Sequence, residues 1–282
     1  MATTNTLCSD DKTYYRMDGV IDPDFIRAHE KLTSLGSKHK PISSALILDK
    51  FHEKASLLGL QLANEQCALQ KQGRRFLYNA LVTSDKIKNE DHALAIGFAN
   101  FSDRSKSFTG LLGTRVFMCS NLCFHGIVKP ACQRHTIGNY DRIDDKIGIL
   151  FDTFEKDKDT IEGQIQLMKA TKLDDTILGK FVLGLARQGN AFGNTHILDI
   201  ARFTDNPEPM LAELGNPTYN DKNDSSAYRL FNAATFIVNY KMKNAEAKIY
   251  ATKLVTDTLM GVLNPQYKPV GDVIDVEPVD EE

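Results

Sequence analysis

Between residues 60 and 120 the chain repeats one pattern, a short apolar run closed by a polar turn. Leu60 and Leu62, and later Phe76, Tyr78, Ala80 and Val82, fall at spacing two, which places alternate side chains on one face of a strand. The polar stretch 70–75 separates these two runs as a hairpin turn. A second polar turn, 84–91, precedes a run from Ala93 to Phe101, and a third, 102–107, leads into residues 108–120. Four such runs predict an antiparallel meander. Gly110 and Gly113 inside the last run predict a bulge or a close approach by another part of the chain.

The flanks follow a different period. Ser43 and Ser44 can cap a helix over residues 43–58 through Leu46, Ile47, Phe51 and Ala55, with Gly59 as terminator. From about residue 142 helical spacing dominates: Ile143, Ile147, Leu150, Phe151 and Phe154 open a long helix toward Met168. A second helix is capped by Asp174 or Asp175 and ends near Gly189. A loop to about residue 223 carries a short helix near Ile197. Two further helices are expected, one capped by Asp224 and Ser225 and one over residues 245–263. The fold class is therefore α+β, with four regions: an irregular N-terminal arm (1–41) with a helical piece near Pro23, a helix-plus-sheet core (42–141), a helical region (142–263) and a disordered acidic tail (264–282).

Charge is uneven along the 282 residues. The net charge of −3 excludes a protein that holds nucleic acid by bulk positive charge. The last twenty residues hold one basic and six acidic side chains, so the acidity sits in the tail and the remaining body is slightly basic. Such a tail is a candidate dock for basic patches of partner proteins. The N-terminus lacks a basic stretch followed by an apolar one, and no run approaches a membrane span, which predicts a cytoplasmic protein with no membrane partner. Five cysteines, an odd and scattered set, predict reduced thiols.

Polar and reactive residues are densest over 100–136. Cys119, Cys123, Cys132 and His135, with His125 nearby, have donor types that suit zinc, but the first pair is not a Cys-x-x-Cys knuckle, so a metal is not expected. Arg104 and Lys106 on a turn, Arg115 on the next strand and Arg134 beyond it are interleaved with Phe101 and Phe108. Cations can follow a phosphate backbone, and aromatic faces can stack unpaired bases. With His135 these residues make up the candidate nucleic-acid surface. No phosphate loop, Gly-x-Ser-x-Gly, His-Glu-x-x-His or paired-carboxylate motif is present, so the sequence leans away from an enzyme and calls for no cofactor.

The run ALAIGFANFSDRSKSFTGLLGTRVFMCSN, followed by Arg134-His135-Thr136, resembles the core signature of a family of unknown function found in phages, prophages and plasmids, the YafZ/YfjQ-like family. The matching positions are Ser102, Asp103, Ser105, Gly113, Arg115, Cys119, Asn121 and His135; Arg104 stands where the family's turn usually carries Gly. The resemblance implies a phage-type protein made in the host bacterial cytoplasm, and implies no particular activity. Together with the basic hairpin it leads to the expectation of a single-stranded DNA-binding protein supporting phage replication, recombination or transcription, with the acidic tail as the dock for phage or host replication and transcription proteins, an oligomer being compatible with the sequence. The alternative is a host-takeover or anti-defence protein that acts by binding a host protein.

Overall fold

The computed structural model describes residues 5–9, 12–19, 21–83, 92–116, 121–189, 206–218, 224–241 and 245–268. Seven strands form one sheet in chain order: β1 (Asn5–Ser9), β2 (Lys12–Gly19), β3 (Gln61–Gln70), β4 (Arg75–Thr83), β5 (His92–Phe101), β6 (Phe108–Val116) and β7 (Asn121–Gln133). Every neighbouring pair is antiparallel. Helices α1 (Pro23–His29) and α2 (Ser44–Leu57) lie between β2 and β3. After β7 a 3-10 turn (Ile137–Arg142) leads into α3 (Ile143–Ala170), α4 (Asp175–Gly189), α5 (Glu208–Gly215), α6 (Ala227–Lys241) and α7 (Ala245–Leu263). The molecule is α+β, a meander followed by a helical half.

The meander is longer than its alternation predicts. Residues 1–41, expected as an irregular arm, contribute two strands as well as the helix. β2 adds to the free edge of β3, from Tyr15 opposite Leu69 to Gly19 opposite Glu65. This pairing is long-range, and local patterning around residues 12–19 does not announce it. Helix α5 occupies part of a stretch expected as loop. The expected short helix near Ile197, the turn at 84–91 and the tail beyond residue 268 lie outside the described residues. Residues 264–268, placed in the tail by the sequence, are described: Tyr267 packs on the helical core and its hydroxyl donates to Asp257 at 2.8 Å.

Helix α2 starts where the sequence predicts. Ser43 Oγ accepts the Leu46 N–H at 3.1 Å, and Glu30 accepts both Ser43 Oγ–H at 2.5 Å and Ser44 N–H at 2.7 Å. Gly59, at φ +68°, lets the chain leave the helix in a left-handed conformation. One sheet face packs under α2 and the first half of α3, around Phe51, whose ring lies 5.3 Å from Tyr78, 5.5 Å from Phe98 and 4.8 Å from Phe151. Gly110 is the close approach that its sequence position predicts. A Cβ there would lie 2.9 Å from Leu150 Cδ1 of α3, and the β6–β7 register shifts on either side, at Phe108/Gly110 and Leu112/Gly113. The second half of α3 enters a separate apolar cluster with α4, α5, α6 and α7. With 28 residues, about 42 Å of helix, α3 runs through both cores.

Candidate anion-binding cleft

Three segments meet at one end of the sheet. Segment 34–42 follows α1, the β5–β6 turn carries residues 102–107, and the chain leaves β7 at Arg134. The first segment is pinned to the last by an isolated antiparallel bridge between His39 and Thr136, by Lys40 N–H on His135 O at 3.2 Å and by Ile137 N–H on Lys38 O at 3.3 Å. It is pinned to β5 by Asn100, whose Nδ2 donates to Ile42 O and Ser44 Oγ, each at 2.9 Å. The turn is fixed from below. Arg75 Nε donates to Asp103 at 2.6 Å, and Ser102 N–H donates to Arg74 O at 2.8 Å. Arg104, at φ +64°, swings toward segment 34–42, and its Nη1 donates to Leu35 O at 2.7 Å.

The result is an open cleft of about 310 Å³, lined by Gly36, Ser37, Lys38, His39, Arg104, His135 and Thr136. Lys38 and Arg104 are exposed, as is Arg134 beside His135. The two histidines are not: His39 is 8% and His135 5% exposed, with ring centroids 6.1 Å apart. Each accepts a backbone proton at Nδ1, His39 from Leu35 N–H and His135 from Ile42 N–H, both at 3.1 Å. An Nδ1 that accepts carries no proton, so the neutral ring holds its proton on Nε2. Both Nε2 atoms are buried and have no hydrogen-bond partner among the described residues. An unsatisfied buried donor costs on the order of 1–3 kcal/mol, and here two belong to residues that line one cleft.

Neutrality is also what the surroundings dictate. Burial, then the neighbouring His39, lowers the His135 pKa to about 4, against a smaller opposing pull from Asp103. Burial, then Arg104, holds His39 below its usual range. The chemistry follows from the tautomer. A Nε2 that bears a proton is neither a metal ligand nor a general base. Moving that proton to Nδ1 would set it against the Ile42 or Leu35 N–H, donor against donor. What the pair offers is two N–H donors beside exposed cations, an arrangement suited to an oxyanion.

A second histidine cluster shows the contrast. Glu65 accepts from Tyr78 O–H at 2.9 Å and meets His52 Nε2 at 2.9 Å, joining α2 to β3 and β4. Its partners are supplied within the fold, as a structural network requires.

Of the residues that the sequence singles out, Arg104 and His135 line this cleft, and Arg134 is exposed next to His135 without being part of the lining. Phe101 and Phe108 do not take the expected stacking role: they are 2% and 0% exposed, packed in the two faces of the sheet, and offer no ring face to a base. Lys106 turns away from the cleft. Its Nζ donates to Tyr250 O–H at 3.1 Å and lies 4.4 Å from that ring's centroid, and burial followed by Arg75 lowers its pKa to about 8. Arg115 lies on β6 opposite Ala93 and Leu122, with its side chain outside the described residues, as are Cys119 and the side chain of Cys123. His39 and Lys38 escape a motif search; their signal is the short run Lys38-His39-Lys40 within a segment read as irregular.

No family model, no curated protein and no solved structure matches the chain. The site therefore stands on its own geometry. Among the described residues no helix is long and apolar enough to cross a membrane, and no group of three or more His, Cys, Asp or Glu is placed to hold a metal.

Proposed function

We propose that the protein binds single-stranded DNA in the cytoplasm of a bacterial host, in support of phage replication, recombination or transcription, and that the cleft at His39 and His135 is where it meets a phosphate. The observation that carries this reading is the pair of buried Nε2–H groups, without a partner among the described residues, on two histidines that line one cleft with Lys38 and Arg104. Phosphate oxygens are the acceptors such donors lack, and exposed cations at the mouth supply the sequence-independent attraction of a backbone contact. The phage setting comes from the YafZ/YfjQ-like resemblance. With Phe101 and Phe108 buried, affinity rests on phosphate contacts and not on base stacking by these rings. A fluorescence titration against labelled single- and double-stranded oligonucleotides at several salt concentrations tests the proposal. Binding that favours single strands and weakens with salt supports it, and no binding at low salt overturns it.

A further inference from the structure

We infer that the cleft is a seat for a phosphate monoester, the terminal phosphate of a strand or of a free nucleotide, with the Nε2–H groups of His39 and His135 on its oxygens and Arg104 and Lys38 as counter-charges. The inference rests on the anion-binding reading above and narrows it to one class of ligand.

Depth is the first argument. The rings of His39 and His135 are more than nine-tenths buried, and their Nε2 atoms lie below the solvent-exposed surface. An internal phosphodiester carries chain on both of its bridging oxygens and presents two free oxygens from the side of a strand. To reach recessed donors it must bring both arms of the strand into the cleft. A monoester has a single attachment and three free oxygens, so it enters tip first. The cleft volume of about 310 Å³ lies at the low end of the range for small-molecule sites, roughly 300–1,000 Å³.

Charge is the second argument. Neutral N–H donors hold an oxyanion without adding charge, and the net charge at the cleft comes from Lys38 and Arg104, two cations against the two negative charges of a monoester. The guanidinium is already aimed: Arg104 is held by Leu35 O, in the same segment that carries His39. Access is the third. Gly36, Ser37 and Lys38 are an exposed turn that lines the cleft with His39, and both Nδ1 bonds come from backbone outside that turn, at Leu35 and Ile42, so the donors keep their tautomer whatever the turn holds.

The test uses the full chain and short labelled oligonucleotides of one sequence, ending in a 5′-phosphate, a 3′-phosphate or hydroxyls alone. Inorganic phosphate and a nucleoside monophosphate serve as small-molecule probes. A phosphate-ended strand should bind about tenfold more tightly than the hydroxyl-ended one, the scale of one added charge-assisted contact. His39→Asn and His135→Asn keep an oxygen that can accept the Leu35 or Ile42 proton and remove the Nε2 donor. Each should erase the end preference, the phosphate-ended strand losing more affinity than the hydroxyl-ended one. Because either variant could fail to fold, nitrogen-15 spectra of the wild-type imidazoles provide a second readout. The Nε2–H signals of His39 and His135 should shift saturably with inorganic phosphate, and not with chloride at equal ionic strength.

Phosphate or nucleotide shifts without any strand-end preference keep the seat and make a free phosphate compound its ligand. The same shifts with no DNA binding at all also keep the seat and remove the DNA reading. Salt-sensitive DNA binding with no end preference and unmoved imidazole signals overturns the seat and leaves the DNA reading intact.

Discussion

The backbone N–H of Ile42 donates to Nδ1 of His135, 93 residues away, at 3.1 Å. That bond fixes the tautomer of His135, and with it the chemistry of the cleft, from a residue that serves the core through its side chain. Ile42 is also held by Asn100 of β5 through its carbonyl, so one residue joins the sheet, the segment before α2 and the histidine. The cleft is thus built from the same contacts that close the end of the sheet core, and its donors are held before any ligand arrives.

Protonation of His135 should destabilise the fold. Its folded pKa, about 4, lies below the unfolded value of about 6.5, so the unfolded chain binds the proton more readily. The contribution is fully present above about pH 6.5 and is lost as the pH falls toward 4. It is worth on the order of 3 kcal/mol, and lowered affinity of His39 for its proton adds in the same direction. Urea melts across that window should show a fall in wild-type stability that is smaller in His135→Asn. A wild-type imidazole that titrates near pH 6.5 by nitrogen-15 NMR would contradict the buried, neutral assignment.

How far the sequence foretells this arrangement depends on the range of the interactions. Strands β3 to β6, α2 and the start of α3 are legible because each has a local period and a local terminator, such as Ser43 or Gly59. The pairing of β2 with β3 is not, since its register depends on residues about fifty positions away. At the site, Arg104 and His135 stand out as polar residues around a turn and a strand end. His39 does not, because its meaning comes from a bridge to Thr136 that no local pattern records. Phe101 and Phe108 mislead for the opposite reason: aromatic residues among cations suit base stacking and core packing equally well, and burial decides for the core.

Two glycines on adjacent strands should respond differently to the same methyl group. At Gly97 a Cβ would fall 2.2 Å from Tyr78 O and 3.0 Å from Asn79 Cα, both backbone atoms of β4. At Gly110 the nearest atom is a methyl of Leu150, which can yield. Gly110→Ala should therefore cost about 1–3 kcal/mol, the usual range for overpacking, and Gly97→Ala more, because β4 and β5 must separate to admit it. Denaturant melts of both variants check the ranking. Leu150→Ala combined with Gly110→Ala should cost less than the sum of the two single changes, since the cavity accepts the added methyl.

The boundary of the acidic tail should be sharp in truncations. Removing residues 269–282 leaves Tyr267 on the helical core and its bond to Asp257 intact, so the melting temperature should stay close to that of the full chain. Removing residues 266–282 takes the tyrosine as well and should lower it. Equal melting temperatures for the two truncations would show that Tyr267 contributes nothing to the fold. If the tail competes for the basic cleft, the shorter cut should also tighten DNA binding, because the segment lost carries six acidic residues and no basic one.

Arg104 and Lys106 are two residues apart on one turn, and the structure gives them opposite prospects. Arg104 lines the cleft and is exposed, whereas Lys106 is tied to Tyr250 of α7. A cation that neutralises a phosphate releases counterions, and on single strands each such contact adds about 0.7 to the slope of log affinity against log salt. Arg104→Ala should therefore flatten the slope by about 0.7 and weaken binding at low salt, and Lys38→Ala should do the same. Lys106→Met keeps an apolar stem on the Tyr250 ring and removes a charge that burial disfavours, so slope and affinity should remain those of the wild type. The comparison is internal, since a general loss of positive charge would affect all three variants alike. A shallower slope in Lys106→Met with none in Arg104→Ala would move the DNA path off the cleft and onto the face of the turn that meets α7.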